Sequence, residues 1–226
     1  MNKTQYPSAA TLVESLLRTA RRAWKPSRTL LAAGLGLAAL AGATGCATTT
    51  ERLGLPPLPT VAKVDLNKYV GTWYEIAAFP IRAERNCTGV TATYTLRDDG
   101  EIDVLNQCRQ FALDGPVDAV QGRARVTDAA TNAKLEVSFF RPFWGDYWVI
   151  DLAPDYSYAV VGHPSRDYLW ILSRTPQLAE ATYSGILERL KSNGYELDRL
   201  KKMMQPATPL PTEVEVKTAG AAPDSM

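Results

Sequence analysis

The chain is short of the residues that most chemistry needs. It has one histidine, His163, and three cysteines in 226 residues. A single histidine excludes a multi-histidine metal site. It also means that any Ser-His-Asp triad has to use His163, and nothing in the sequence places a serine and an acid beside it. No Gly-x-Ser-x-Gly elbow precedes a helix. Long apolar runs are missing too: residues 30–43 (LLAAGLGLAALAGA) make a run of fourteen, against the roughly 20 that a membrane-spanning helix requires. Excess positive charge is confined to one place. Residues 1–45 carry six basic residues (Lys3, Arg18, Arg21, Arg22, Lys25, Arg28) and one acid (Glu14), so the formal +1 of the whole chain leaves −4 for the rest. A mildly acidic body without a basic stripe argues against nucleic-acid binding. With 46% hydrophobic residues the chain can build a core, which excludes global disorder.

The ends of the chain read as address and connection. A basic flank, the apolar run and a small-residue end have the layout of a secretory signal over residues 1–45. Ala43-Thr44-Gly45-Cys46 resembles the lipobox of bacterial lipoproteins. That resemblance implies that Cys46 is lipidated and becomes the mature N-terminus. Ala47, where an aspartate is absent, implies sorting to the outer membrane. Arg21-Arg22 weakly resembles a twin-arginine export motif. Residues 46–63, Thr- and Pro-rich and without period, read as the lipidated N-terminus and a tether. Residues 207–226, rich in Pro, Ala and Thr, read as a disordered tail. The foldable part is one domain, residues 64–206.

That part alternates with period two, the mark of half-buried strands. Val90, Ala92, Tyr94 and Leu96 share one face, with Thr91, Thr93 and Thr95 on the other. After Asp98-Asp99-Gly100, the residues Ile102, Val104 and Asn106 alternate again. A three-residue loop pairs Leu96 with Ile102 and Tyr94 with Val104, and puts Gly100 at a left-handed bulge position. Val120 to Val126 and Lys134 to Phe139 alternate likewise, and three denser apolar strands follow. With residues 71–79 in front, eight strands are expected. This implies a closed up-and-down barrel or a sandwich. One helix, residues 177–193, carries an apolar stripe of Leu178, Ile186, Leu187 and Leu190 between Pro176 and Gly194. It is expected on the outer side of the last three strands, which look apolar on both faces.

Three blocks carry a family resemblance. Residues 67–77 (NKYVGTWYEIA) resemble the opening Gly-x-Trp motif of lipocalins. Residues 155–161 (DYSYAVV) resemble their second block, and residues 167–176 (DYLWILSRTP) their third, with its arginine. Residues 91–100 and 137–143 resemble the bacterial lipocalins related to apolipoprotein D. The resemblance selects among the architectures: an all-β, eight-stranded antiparallel up-and-down barrel with one C-terminal helix packed outside. It implies that Trp73 and Arg174 close one end of the barrel, as a cation–π contact.

Within that architecture the odd cysteine count divides. If Cys46 takes the lipid, Cys87 and Cys108 remain, in a compartment that permits disulfides. The hairpin register puts Cys108 opposite Val90, so a bridge to Cys87 requires the chain before Val90 to bulge. Two buried free thiols are the alternative. The barrel interior is expected to be lined by Tyr94, Val104, Asn106, Phe139, Trp148 and Trp170. Val90, Ala92, Ile102, Val126, Leu135 and Val137 join them, with Ile150 and Tyr168 as further candidates. Such a lining suits an elongated apolar ligand. Arg82, Arg85, Arg109 and Arg141 are candidates to meet an acidic head at the rim.

The resemblance implies a binding protein, not an enzyme: a lipoprotein lipocalin anchored in the outer membrane. It would take fatty acids or lysophospholipids, for storage, transport or envelope maintenance, with no metal and no cofactor, and with a homodimer left open. Two alternatives stand beside it. One is a lipocalin-fold lipid isomerase, for which Tyr94 and Asn106 are the available groups. The other is a haem or pigment carrier, for which His163 is the visible nitrogen ligand.

Overall fold

A computed structural model describes residues 54–208. The signal at residues 1–45 and the lipidation candidate Cys46 lie outside the described residues, as does most of the C-terminal tail.

A short helix, α1 (Leu66–Tyr69), leads into β1 (Gly71–Ala78). Seven further strands follow in sequence: β2 (Cys87–Leu96), β3 (Ile102–Gln110), β4 (Val117–Val126), β5 (Lys134–Phe140), β6 (Phe143–Leu152), β7 (Tyr158–Gly162) and β8 (Leu169–Ser173). Each pairs antiparallel with the next, and β8 returns to β1, which also pairs with β2. The result is a closed eight-stranded barrel with no free strand edge in the ring. Helix α2 (Glu180–Ser192) and a two-residue strand β9 (Lys201–Lys202) come after it. Helix α2 starts three residues later than the sequence pattern suggests, and among the described residues no helix is long and apolar enough to cross a membrane.

The β2–β3 hairpin shows how turn chemistry sets register. Leu96 faces Ile102 and Tyr94 faces Val104. Gly100 adopts φ 83°, a left-handed conformation that a Cβ would disfavour. The Asp99 carboxylate accepts from the Glu101 amide at 3.0 Å, closing the turn. Farther up, the ladder shifts by one residue between Thr88 and Thr91. Gly89, at φ 60°, sits in that bulge. The shift brings Cys87 beside Cys108, and the two are joined as a disulfide with Cα atoms 5.4 Å apart.

Strands β6 to β8 serve two cores. Val149, Val161 and Leu172 point into the barrel, with Trp73, Val104 and Leu135. Their chain neighbours Ile150, Val160 and Ile171 point outward and pack against Tyr183, Ile186 and Leu190 of α2. This arrangement corrects one expectation. Trp148 does not line the barrel; it belongs to the outer cluster, and the Lys134 ammonium lies 4.3 Å from its ring centroid. Tyr147 takes the inward position instead. A strand that is apolar on both faces does not reveal its parity, and here the helix decides it by covering the face that carries Trp148 and Ile150.

The segment read as a tether up to Lys63 is held against the barrel from Pro56 on. Arg166 donates to the Pro56 carbonyl at 2.8 Å, Leu58 is buried in the outer core, and the Val61 amide donates to the Val149 carbonyl at 3.0 Å.

One end of the barrel is closed by a single guanidinium. Arg174 lies 3.6 Å from the Trp73 ring centroid. It donates to the carbonyls of Lys68 (2.6 Å), Thr72 (2.9 Å), Tyr69 and Val70 (3.0 Å each). The Trp73 indole N–H donates to the Tyr69 carbonyl at 2.8 Å. Arg174→Ala removes the cation and its hydrogen bonds to these carbonyls, of which Tyr69 keeps the Trp73 donor, so a loss of about 3 kcal/mol is expected in urea unfolding. Arg174→Lys should recover less than half of it, because an ammonium lacks the planar fork. Native-like stability in Arg174→Ala would show that the floor closes without it.

Candidate functional site

Inside the barrel is a cavity of about 890 Å³, counting the space at its open end. Its wall contains Tyr94, Val104, Asn106, Phe139 and Trp170 from the expected lining, together with Val90, Ala92, Ile102, Leu135 and Val137. Val126 packs against the same inner core. Trp148 and Ile150 are on the outer side, and Tyr168 is exposed and stacked on Trp170 without reaching the wall.

The floor holds three tyrosines. The Tyr147 hydroxyl is hydrogen-bonded to those of Tyr69, at 2.8 Å, and Tyr94, at 3.1 Å. The Tyr69 ring lies tilted against Trp73, with centroids 5.2 Å apart. Burial raises all three phenols, Tyr94 to about 12, so they are neutral hydroxyls near neutral pH. Tyr94 was legible by parity. Tyr69 was not, because it comes from α1, and Tyr147 was hidden by the parity of β6.

The polar end of the cavity is acidic. Glu75 and Glu84 both line it, as does Asp146. Glu75 shares its face of β1 with Trp73, two residues away, so the period-two signal was present in the sequence. It is 3% exposed. Burial raises its carboxyl well above the ordinary value, and the neighbouring charge of Glu84 raises it further. Burial raises Glu84 to about 7. Asp146 has a partner, His163 Nε2 at 3.5 Å. Among the described residues no lysine or arginine lines the cavity. Of the expected rim arginines, Arg109 points to the Gly115 carbonyl (3.4 Å) and Arg141 to Glu101 (3.8 Å). Neither these nor Arg82 and Arg85 reach the wall.

His163 is also turned away from the cavity. Its Nδ1 bonds to the Ser165 hydroxyl at 2.8 Å while Nε2 faces Asp146, so both ring nitrogens are engaged. Among the described residues no three His, Cys, Asp or Glu side chains gather in a way that would hold a metal ion.

A closed barrel with an enclosed apolar cavity is the architecture of small-ligand carriers. The family model for a lipocalin-like domain matches residues 64–205, and the chain belongs to the lipocalin family. It is 42% identical over 164 residues to the outer membrane lipoprotein Blc of Escherichia coli K12, covering 72% of this chain and 90% of that protein. It is 41% identical over 161 residues to temperature-induced lipocalin-1 of Arabidopsis thaliana (67% and 85% covered), and 36% identical over 177 residues to mouse apolipoprotein D (71% and 90%). Among solved structures, insecticyanin of the tobacco hornworm Manduca sexta superposes with a TM-score of 0.53 at 23% identity, over 68% of this chain and 87% of that one. The cockroach allergen Per a 4 superposes at 0.52 and 23%, over 67% and 95%. These two bear on the fold alone.

The buried acids make stability depend on pH in a stated direction. Below about pH 4.5, Glu84 is protonated in both the folded and unfolded chain. Between there and about pH 7 the unfolded chain has lost the proton and the folded one keeps it. The folded state therefore binds more protons, and stability falls as pH rises through this window. Glu75 acts in the same direction. Thermal unfolding across this range should show a falling Tm for the native chain and a flatter profile for Glu75→Gln with Glu84→Gln. A native Tm that rises through the window would refute the assignment.

Proposed function

We propose that the protein is a lipid-binding lipoprotein lipocalin, anchored in the bacterial outer membrane through Cys46 after removal of residues 1–45. It holds fatty acids or lysophospholipids in the barrel, for storage, transport or envelope maintenance, and it is not an enzyme. The observation that carries this reading is the cavity. Its mostly aliphatic and aromatic wall, open at one end, suits one elongated apolar chain. Each methylene moved from water into such a wall contributes about 0.8 kcal/mol, so a long chain binds without specific contacts. Similarity to a protein named as an outer membrane lipoprotein supports the location. The hydroxyls of the floor are bonded to one another, which speaks against lipid isomerisation through them.

Titration of the mature domain with lysophospholipid and with fatty acid should change tryptophan emission, and mass spectrometry should find a co-purified lipid. If neither ligand perturbs the emission and nothing co-purifies, the reading fails. Trp170 lines the cavity and Trp148 does not. The ligand-dependent change should therefore shrink in Trp170→Phe and persist in Trp148→Phe. In cells, Cys46→Ala should release the protein from the membrane fraction; unchanged association would refute the lipid anchor.

A further inference from the structure

The cavity has a chemistry beyond its apolar wall. Strand β1 changes partners along one edge. It pairs with β2 only from Gly71 to Tyr74, and the chain end takes over that edge from Ala77, through Lys201 and Lys202. Glu75 stands where the two partners meet. Its backbone carbonyl, with that of Val90, accepts from the Gln205 carboxamide, both at 2.8 Å. The backbone at this point is tied into the strap, and the side chain lines the cavity. The Glu75 carboxyl makes no hydrogen bond and no ion pair with any described residue, at 3% exposure. Glu84 joins it from the 3₁₀ turn Arg82–Glu84 in the β1–β2 connection, at the end of the barrel opposite the Arg174 floor. A third polar group in the same wall is Asn106, whose Oδ1 is buried without a partner.

These three groups are acceptors when the acids are ionised, and the wall offers them no cation. A buried acceptor left unpaired is costly, and a ligand that brings donors removes that cost. The phenols do not compete, because they satisfy one another at the floor. We propose that Glu75, Glu84 and Asn106 form a receptor for the ammonium head of a single-chain amphiphile, whose tail runs toward the tyrosine floor. This rests on the lipid-binding reading above and narrows it. A primary ammonium supplies three donors and a charge opposite to that of the carboxylates. A fatty-acid carboxylate in the same place meets the Asn106 oxygen and, above about pH 7, the ionised Glu84, while Arg109 and Arg141 are engaged with Gly115 and Glu101. The cavity therefore selects an amine-bearing lipid, such as a lysophospholipid with an ethanolamine head or a long-chain amine, over a free fatty acid.

The test compares heads on one tail. The full chain carrying Cys46→Ser, so that no anchor is added, is titrated by calorimetry at about pH 7.5 with dodecylamine, dodecanol and dodecanoate. Affinity should fall in that order, with dodecylamine about tenfold or more tighter than dodecanoate. Lysophosphatidylethanolamine against lysophosphatidylglycerol of one chain length identifies the source. A preference in this pair assigns a phospholipid head, and a preference confined to the first series assigns a free amine; both support the receptor. Glu75→Gln with Glu84→Gln, shown to be folded by a cooperative thermal transition, should level amine and carboxylate. Dodecanoate binding as tightly as dodecylamine to the native chain overturns the proposal whatever the variant does, and so does a preference that survives in the folded variant. Failure of all three dodecyl ligands to bind overturns the lipid-binding reading itself.

Discussion

The structure depends on one closed floor. A barrel of eight strands is open at both ends unless side chains fill one, and Arg174 fills it with a charge. Its guanidinium covers the Trp73 indole and gathers carbonyls from the turn between α1 and β1. The last barrel strand is thereby fastened to the start of the first. The contact costs desolvation of a cation, which four carbonyl acceptors and an aromatic face offset. Because this end is sealed by hydrogen-bonded backbone, the apolar volume above it becomes a cavity with one mouth.

The second constraint is that β1 has one more partner than an ordinary barrel strand. It pairs with β8 on one edge and shares the other between β2 and β9. The split between β1 and β2 would expose backbone groups. The chain end satisfies them instead: the Met203 amide donates to Ile76, the Gly89 amide donates to Met204, and Gln205 bridges Glu75 and Val90. The same bulge that lets β2 leave β1 carries Gly89 and allows the Cys87–Cys108 bridge. Closure of the sheet, position of the disulfide and inward placement of Glu75 are thus linked through one stretch of backbone.

The interior then divides into three layers of distinct chemistry. A neutral tyrosine cluster forms the floor, an aliphatic and aromatic wall stands above it, and carboxyls sit toward the mouth. None of these polar groups is paired with a cation from the wall. Acids of this kind are kept near neutrality by raised proton affinity, because burial penalises their charged form. In the proposed function, binding energy comes from the wall and discrimination from the carboxyls.

The sequence alone determined the ring of strands, the β2–β3 register and the place of the Trp73–Arg174 contact. Alternation, an Asp-Asp-Gly turn and the family blocks are local signals that survive without tertiary information. A bulge before Val90 was legible as the condition for a Cys87–Cys108 bridge, while the choice between bridge and free thiols was left to the structure. What only the tertiary structure decided lies where local signals are ambiguous. Parity of β6 could not be read, because both faces are apolar and only α2 distinguishes them; hence Trp148 is outside and Tyr147 inside. The docking of residues 56–63 and of Met203 to Gln205 rests on hydrogen bonds and buried side chains from residues far apart in sequence, and such contacts leave no period in the chain. The acidic end of the cavity combines Glu75 of β1 with Glu84 of the following turn and Asp146 of β6. Proximity of that sort is a property of closure, which no window of sequence contains.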